Sequence, residues 1–446
     1  MLENDQLEEY LDFLRFGSIS TDSEYKDQVE TCGAWLVDKL STLGLDAKLH
    51  QTKGCPIVVG SNKHQENRKT VLIYGHYDVQ PVDPIDAWDH PPFEPHVDGH
   101  MVYARGASDN KGQIFSHILG VQKIIEKNGE VPVNIIFLIE GEEEIGSPNL
   151  EPFLEEHKDE LACDVILVSD TDMVAPGVPT LAYGLRGVAA LEVTLKGPKH
   201  DLHSGIYGGG VMNPLTALAR LVASLHDEKM KVSVDGFYND VLDLFPWEKE
   251  AWEKLPITDQ DWLDHTGVPK LEGERECTTL ERLWSRPTVE VNGLWGGYQG
   301  EGTKTVIPSE ANAKLTFRTV PNQTADQVLD CVEKHLRKHC PESVTIEIER
   351  GHSGEGYLCN PQSSYGKAAQ KALRKAFNGK DPALVREGGS IPIIAGFQRI
   401  LGVDTLLLGL ALPDCRAHSP NENFDLRNME YGIHLSGLLL REIANL

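Results

Sequence analysis

Two kinds of hydrophobic pattern alternate along this chain. Residues 71–75 (VLIYG), 133–139 (VNIIFLI) and 165–169 (VILVS) are short, almost unbroken apolar runs, as expected of strands covered on both faces. Between the first two, Ile114, Ile118, Val121 and Ile125 fall at i, i+4, i+7 and i+11 and predict a helix over 112–127. A polar stretch of helical length follows the second run. The order reads β-α-β-α-β and predicts a parallel, doubly wound sheet.

Past Tyr183-Gly-Leu-Arg-Gly187 the period changes. Ala189, Leu191, Val193 and Leu195 alternate with polar residues over 188–197, the mark of a strand with one face in water. A helix over 213–226 follows, then a strand near 288–292, an alternating strand at 311–319, a helix at 324–338 and a strand at 343–349. That order, β-α-β-β-α-β, is the ferredoxin-like split motif. The polar stretch 226–285 is too long for a bare loop and predicts helices of its own. From about residue 355 the first pattern resumes, with a helix at 363–377, a strand at 405–412 (TLLLGLAL) and a closing helix carrying Met429, Ile433, Leu440 and Ile443. The expected fold class is α/β: a doubly wound, mainly parallel sheet domain made of 1–186 and 355–446, interrupted by an inserted ferredoxin-like α+β domain, 187–354.

Composition narrows the partners. The chain has 446 residues, about three times a ~150-residue domain, which suits this division. Lys+Arg 42 against Asp+Glu 68 leaves a net charge of −26, which repels phosphate backbones and anionic lipid, so neither nucleic acid nor membrane is an expected partner. The eight cysteines are scattered without a CxxC pair and read as free thiols. The N-terminal MLENDQLEEYLDFLRF is acidic and amphipathic, unlike a signal peptide, and no apolar run nears the ~20 residues that span a bilayer. A cytoplasmic protein is expected.

Ligands of doubly wound sheets bind beyond the carboxyl ends of the strands, and this sequence loads those positions. His76 and Asp78 follow the first run, Glu142, Glu143 and Glu144 the second, Asp170 and Asp172 the third, and His418 lies beyond 405–412. Asp109 sits where RGASDNKG meets the helix at 112–127. Each alone has an ordinary reading: HxD pairs are common, glutamate runs are usually solvated, and an Asp ahead of a helix is usually its N-cap. Four strand ends delivering nitrogen and oxygen donors to one rim point instead to a site for one or two divalent metals, Zn²⁺ foremost. The Gly-rich stretches 208–210 and 296–302 lack the Lys-Ser/Thr ending of a phosphate-binding loop.

The motifs GHYDV (75–79), RGASDNKG (105–112), EGEEEIGS (140–147), VSD (168–170), YGLRG (183–187), HSGIYGG (203–209), GTKTVIP (302–308), FRTVP (317–321), EGGSIP (387–392) and AHSPNE (417–422) resemble those of the M20 metallopeptidase family. Within it they are most similar to the carnosinase-like cytosolic dipeptidases. The resemblance implies two divalent metals, one held by His76 and Asp170 and the other by Glu144 and His418, with Asp109 bridging them. Asp78 would orient His76. Glu143, aligned on the following Ile-Gly-Ser, would be the general base toward a metal-activated water. From the same resemblance, His203 stabilises the oxyanion, Arg318 pairs with the substrate's terminal carboxylate, and Thr305 and Ser390 add hydrogen bonds. Zn²⁺ is the implied metal, with Mn²⁺ and Co²⁺ as alternatives, and the Asp109–Asn110 peptide is expected in cis. The insert is expected to act as a lid and to form a homodimer that brings His203 and Thr305 to the partner's site. The implied activity is cleavage of dipeptides or similar short peptides with a free C-terminal carboxylate. Deacetylation or desuccinylation of N-acyl amino acids is the alternative, and a non-catalytic metal-binding scaffold, disfavoured by the intact Glu143, is a third.

Overall fold

The three apolar runs are the strands Thr70–His76, Asn134–Glu140 and Val165–Val168, each buried along its whole length. A computed structural model, which describes residues 2–446, pairs Thr70–His76 in parallel with both of the others. Thr405–Gly409 joins the parallel set beside Val165–Val168, so two neighbouring strands of this sheet lie more than two hundred residues apart in the chain. The full nine-stranded sheet runs Asp46–His50, Ile57–Ser61, Asn134–Glu140, Thr70–His76, Val165–Val168, Thr405–Gly409, Thr180–Leu185 and Tyr357–Leu358, with Ala383–Glu387 also paired to Thr180–Leu185. Its flanks are antiparallel: Ile57–Ser61 against Asn134–Glu140, and Thr180–Leu185 against Thr405–Gly409.

The predicted helix is Lys111–Asn128, ended by Gly129 in the left-handed region at φ 81°. It packs with the C-terminal helix Leu426–Ala444 in one core, where Ile114, Ile118 and Val121 meet Ile433, Leu440 and Ile443. On the opposite face of the sheet a second core gathers Leu72, Tyr74, Leu138 and Ile166 with Phe397 and Ile400 of the helix Pro392–Leu401. Burial on both faces explains why these strands read as continuous apolar runs.

The insert forms a four-stranded antiparallel sheet in the order Thr288–Gly296, Glu310–Thr319, Gly187–Lys196, Thr345–Gly354. Numbered within the insert this is 3's neighbour 2 on one edge and 4 beside 1 on the other, the ferredoxin-like order. The helices Pro214–Ala223 and Ala325–His339 cover one face through Leu218, Leu221, Val328 and Val332. Thr324 caps the second of them, its side chain accepting from Gln327 N.

The stretch 226–285 does carry helices, Pro246–Trp252, Asp259–Thr266 and Thr279–Trp284. They do not cover the four-stranded sheet. Trp252 and Trp284, crossed edge to face at 5.1 Å, belong to the second core of the large sheet with Tyr183 and Tyr357. Glu248, fully buried, accepts from Arg386 Nε at 2.9 Å and from the Tyr183 hydroxyl at 2.8 Å, tying this segment to two strands of that sheet. Among the described residues no helix is long and apolar enough to cross a membrane. All eight cysteines are free; Cys32, Cys359 and Cys415 are buried and the others partly so.

Candidate metal and catalytic site

The strand ends converge. His76 is the last residue of Thr70–His76, Glu143 and Glu144 form a short turn after Asn134–Glu140, and Asp170 follows Val165–Val168. Asp109 stands two residues before the helix Lys111–Asn128, and the Asp109–Asn110 peptide is cis, as expected. Asp109 divides its oxygens: Oδ1 lies 3.1 Å from His76 Nε2, and Oδ2 lies 2.9 Å from His418 Nε2. Asp170 Oδ1 is 3.7 Å from His76 Nε2 on the first side, and Glu144 Oε2 is 3.4 Å from His418 Nε2 on the second. One ligand atom from each of His76, Asp109 and Glu144 lies within 4.8 Å of the others. His418, at φ 59°, adopts a backbone conformation that residues other than glycine rarely take.

The electrostatics are those of a site short of positive charge. Burial pushes Glu144 up to about 9, reinforced by Asp109. Glu143 is raised well above the carboxylate range by burial, with Asp170 and Glu144 adding to it against the pull of His76. Asp170 is also raised, burial and Asp109 outweighing His76. His76 is raised as well: burial favours its neutral form, yet Asp170, Asp109 and Asp78 together hold its proton. Four carboxylates and two imidazoles packed this closely, with no Lys or Arg among them, are the donor set that a divalent cation satisfies.

Several residues that hold this arrangement were not marked in the sequence. Glu422, fully buried, accepts from Ser108 N at 2.9 Å and Asp109 N at 3.0 Å through one oxygen. Its other oxygen takes Gly106 N and Arg105 Nη1, so one carboxylate clamps the loop that carries Asp109. Asn110 Nδ2 donates to Asp170 Oδ1 at 2.8 Å, and Gln80 Nε2 donates to Glu144 Oε2 at 2.7 Å. A Cβ on Gly75 would lie 2.7 Å from Asn110 Oδ1, so glycine beside His76 allows that approach. Glu422 closes the quoted AHSPNE motif, which was its only signal.

Asp78 does more than face the imidazole. Its Oδ1 lies 3.3 Å from His76 Nδ1, and its two oxygens also accept the backbone N–H groups of Glu143 and Glu144 at 3.2 and 3.1 Å. Glu142 points elsewhere, accepting from Cys55 N and Asn149 Nδ2. Among the described residues no side chain bonds to the Glu143 carboxylate.

A cavity of about 240 Å³ opens over the cluster, lined by Asp109, Glu143, Asp170, His418 and Ser390 among others. Arg318, on the insert strand Glu310–Thr319, reaches this wall by donating from Nη1 to Ser390 Oγ at 3.0 Å. His203 and Thr305 do not. His203 lies on a two-stranded ribbon of Leu202–His203 and Val306–Ile307 and Thr305 immediately precedes its second strand; both residues are exposed, and within the chain neither lines that cavity.

A doubly wound sheet with this donor set at its strand ends is suited to hold divalent metal. The chain belongs to Peptidase family M20/M25/M40, which matches residues 72–442. It is 33% identical over 444 residues to the Cys-Gly metallodipeptidase dug1 of Schizosaccharomyces pombe, covering 96% of this chain and 93% of the relative. It is 32% identical over 399 residues to the Beta-Ala-His dipeptidase of Homo sapiens, covering 88% and 78%. Among solved structures, the M20 family metallo-carboxypeptidase Sso-CP2 of Sulfolobus solfataricus superposes with a TM-score of 0.88 at 33% identity, over the whole of both chains.

Proposed function

We propose that this protein hydrolyses dipeptides and similar short peptides that carry a free C-terminal carboxylate. Two divalent cations would be held by His76 and Asp170 on one side and by Glu144 and His418 on the other, with Asp109 shared. The observation that carries this reading is the division of the Asp109 oxygens between the two histidines. Zn²⁺ suits the mixed nitrogen and oxygen donors, with Mn²⁺ and Co²⁺ as alternatives. When bound, the cations supply Lewis acidity toward the attacking water and the scissile carbonyl.

Glu143 takes the proton of the attacking water and passes it to the leaving nitrogen. Asp78 fixes the His76 ring and, through the two backbone N–H groups, the turn that bears Glu143 and Glu144. Arg318, seated on Ser390, holds the substrate's carboxylate. His203 and Thr305, exposed on their ribbon, serve the site of a second copy, His203 toward the developing oxyanion. Exposure of Val291 and Leu294 at 45% and 49%, on the edge strand Thr288–Gly296 of the insert, supports a homodimer through that domain. Eight cysteines without a disulfide support a reducing compartment, and we place the protein in the cytoplasm.

The test is turnover after chelation and reconstitution with Zn²⁺, Mn²⁺ or Co²⁺, on a dipeptide panel set beside N-acetyl and N-succinyl amino acids. Dipeptides are expected to be cleaved only by the reconstituted protein, and the acylated amino acids poorly. The reverse preference would make it an amidohydrolase of the same family. A metal-loaded protein inert to both panels would overturn the enzymatic reading.

A further inference from the structure

Beside the catalytic cavity lies a second one, of about 610 Å³, for which the proposed chemistry has no use. The two share Asp172, Glu387 and Gly389. Beyond those residues the second cavity is walled by Met173, Val174, Ile257, Trp262 and Trp284, with Asp261 and His265 as polar members. Ile257, Trp262 and Trp284 come from the 246–284 segment, which packs on the large sheet next to the strand ends. An apolar, tryptophan-lined chamber thus continues directly from the cluster of metal-binding groups.

Two carboxylates stand at the junction, Asp172 and Glu387. Asp172 has only a long contact from Cys415 Sγ, at 3.9 Å, and among the described residues no side chain bonds to the carboxylate of Glu387. Among the described residues neither forms an ion pair with Lys or Arg. Glu387 ends the strand Ala383–Glu387, three residues before the Ser390 on which Arg318 rests. One short loop therefore offers negative charge at one end and a guanidinium-backed hydroxyl at the other, the complement of a zwitterion.

We propose that the second cavity receives the side chain of the substrate's N-terminal residue, while Asp172 and Glu387 hold that residue's free ammonium. This rests on the dipeptidase reading and deepens it: the preferred substrates are unblocked dipeptides with a large apolar or aromatic N-terminal residue. The chemistry of the α-carbon requires such a junction. It bears the ammonium and the side chain together, next to the scissile carbonyl, so the two groups must diverge into adjoining spaces. A carboxylate pair gives the ammonium charge-assisted hydrogen bonds, and tryptophan walls favour large apolar or aromatic groups.

The experiment compares kcat/KM of the metal-loaded wild type on Phe-Gly, Leu-Gly, Ala-Gly and Gly-Gly, and on 3-phenylpropionyl-Gly, which keeps the ring and lacks the ammonium. Phe-Gly and Leu-Gly are expected to exceed Gly-Gly by roughly 10-fold or more, since burial of a full apolar side chain is worth that much. Trp262→Ala should lower the Phe-Gly to Ala-Gly ratio roughly 5- to 10-fold, mainly through KM. Glu387→Gln and Asp172→Asn should each shrink the preference for Phe-Gly over 3-phenylpropionyl-Gly by roughly 10-fold or more, the scale of a charged hydrogen bond. Metal content and melting temperature, measured on every variant, separate these effects from misfolding, and Trp262→Phe should restore the ratio lost in Trp262→Ala. A wild type that cleaves dipeptides but prefers Gly-Gly, or carboxylate variants that depress both phenyl substrates equally, would overturn the proposal and leave the dipeptidase reading standing. A wild type that cleaves none of the dipeptides would remove the reading itself.

Discussion

The rim of the large sheet holds its groups by bonds from distant parts of the chain, whereas the His203 side chain, on the ribbon of the insert, has a single local contact, from Gly205 N to its Nδ1 at 3.0 Å. Asp109 alone is fixed by Glu422 from behind and faced by two imidazoles in front. Around His203 the surface is open, with Ile206 71% and Tyr207 45% exposed. The difference separates two tasks. Holding cations needs several donors at fixed separation, which one sheet supplies. Closing on a substrate, the role proposed for the ribbon in a second copy, needs a surface that meets it from outside, and exposed His203, Ile206 and Tyr207 offer one.

The sharpest way to break this comparison combines one variant from each region. Glu143→Gln should keep its metal content yet lose roughly 10²–10⁴-fold in kcat, the usual effect of removing a general base. His203→Ala should also be nearly inactive, by roughly 10²–10³-fold if it supplies one oxyanion donor. Mixed and allowed to exchange subunits, the two should recover about a quarter of wild-type activity, because half the dimers are hybrids and each hybrid has one intact site. A mixture that stays inactive after mass labelling has shown exchange would place His203 in the service of its own subunit or of none.

Stability measurements sharpen the description of the rim. Glu248→Ala leaves the Arg386 guanidinium buried and unpaired, and urea denaturation should register a loss of about 3–5 kcal/mol. Beneath the rim, His117 lies 2.8 Å from Ser169 Oγ and 2.6 Å from Ser436 Oγ, and burial lowers its pKa to about 4. In the unfolded chain the ring titrates near 6.5, so the unfolded state takes up the proton first. Its contribution is intact above pH 6.5 and is lost as pH falls toward 4, by about 2 kcal/mol between pH 7 and 5. His117→Asn should lack that part of the decline in a pH series of melts. The smallest effect expected is on Arg318→Lys: KM for a dipeptide should rise about tenfold, because an ammonium cannot reproduce the two parallel bonds of a guanidinium. Its C-terminal amide, already a poor substrate, should change little, and an equal loss on both would move Arg318 away from the carboxylate.

Periodicity carried most of the fold because these strands are buried on both faces or on one, and either state leaves a pattern in the chain. Thr180–Leu185 escaped it: its TLAYGL ends in the motif where the period changes, and only pairing with Thr405–Gly409 makes it part of the large sheet. The helices of 246–284 were expected as helices, but their packing partner was not legible, since Trp252 and Trp284 are apolar toward whichever core they meet. The predicted ligands His76, Asp109, Glu144, Asp170 and His418 were readable from strand-end position and motif, and the chain brings them together. Glu422 was not, because a carboxylate that accepts backbone N–H groups more than 300 residues away has no local signature.

The Glu422 clamp also sets an order of events in the life of the chain. The loop at 105–109 leaves the ribosome long before residues 405–425, with the whole insert emerging in between. Early strands and the insert's own sheet can pair as they are made, since domains begin to fold from the N-terminal side during synthesis. The carboxylate that fixes Asp109, and His418 opposite it, arrive more than three hundred residues after the loop they hold. A chain that stops before residue 418 therefore carries the other candidate donors without the two groups that face and fix Asp109.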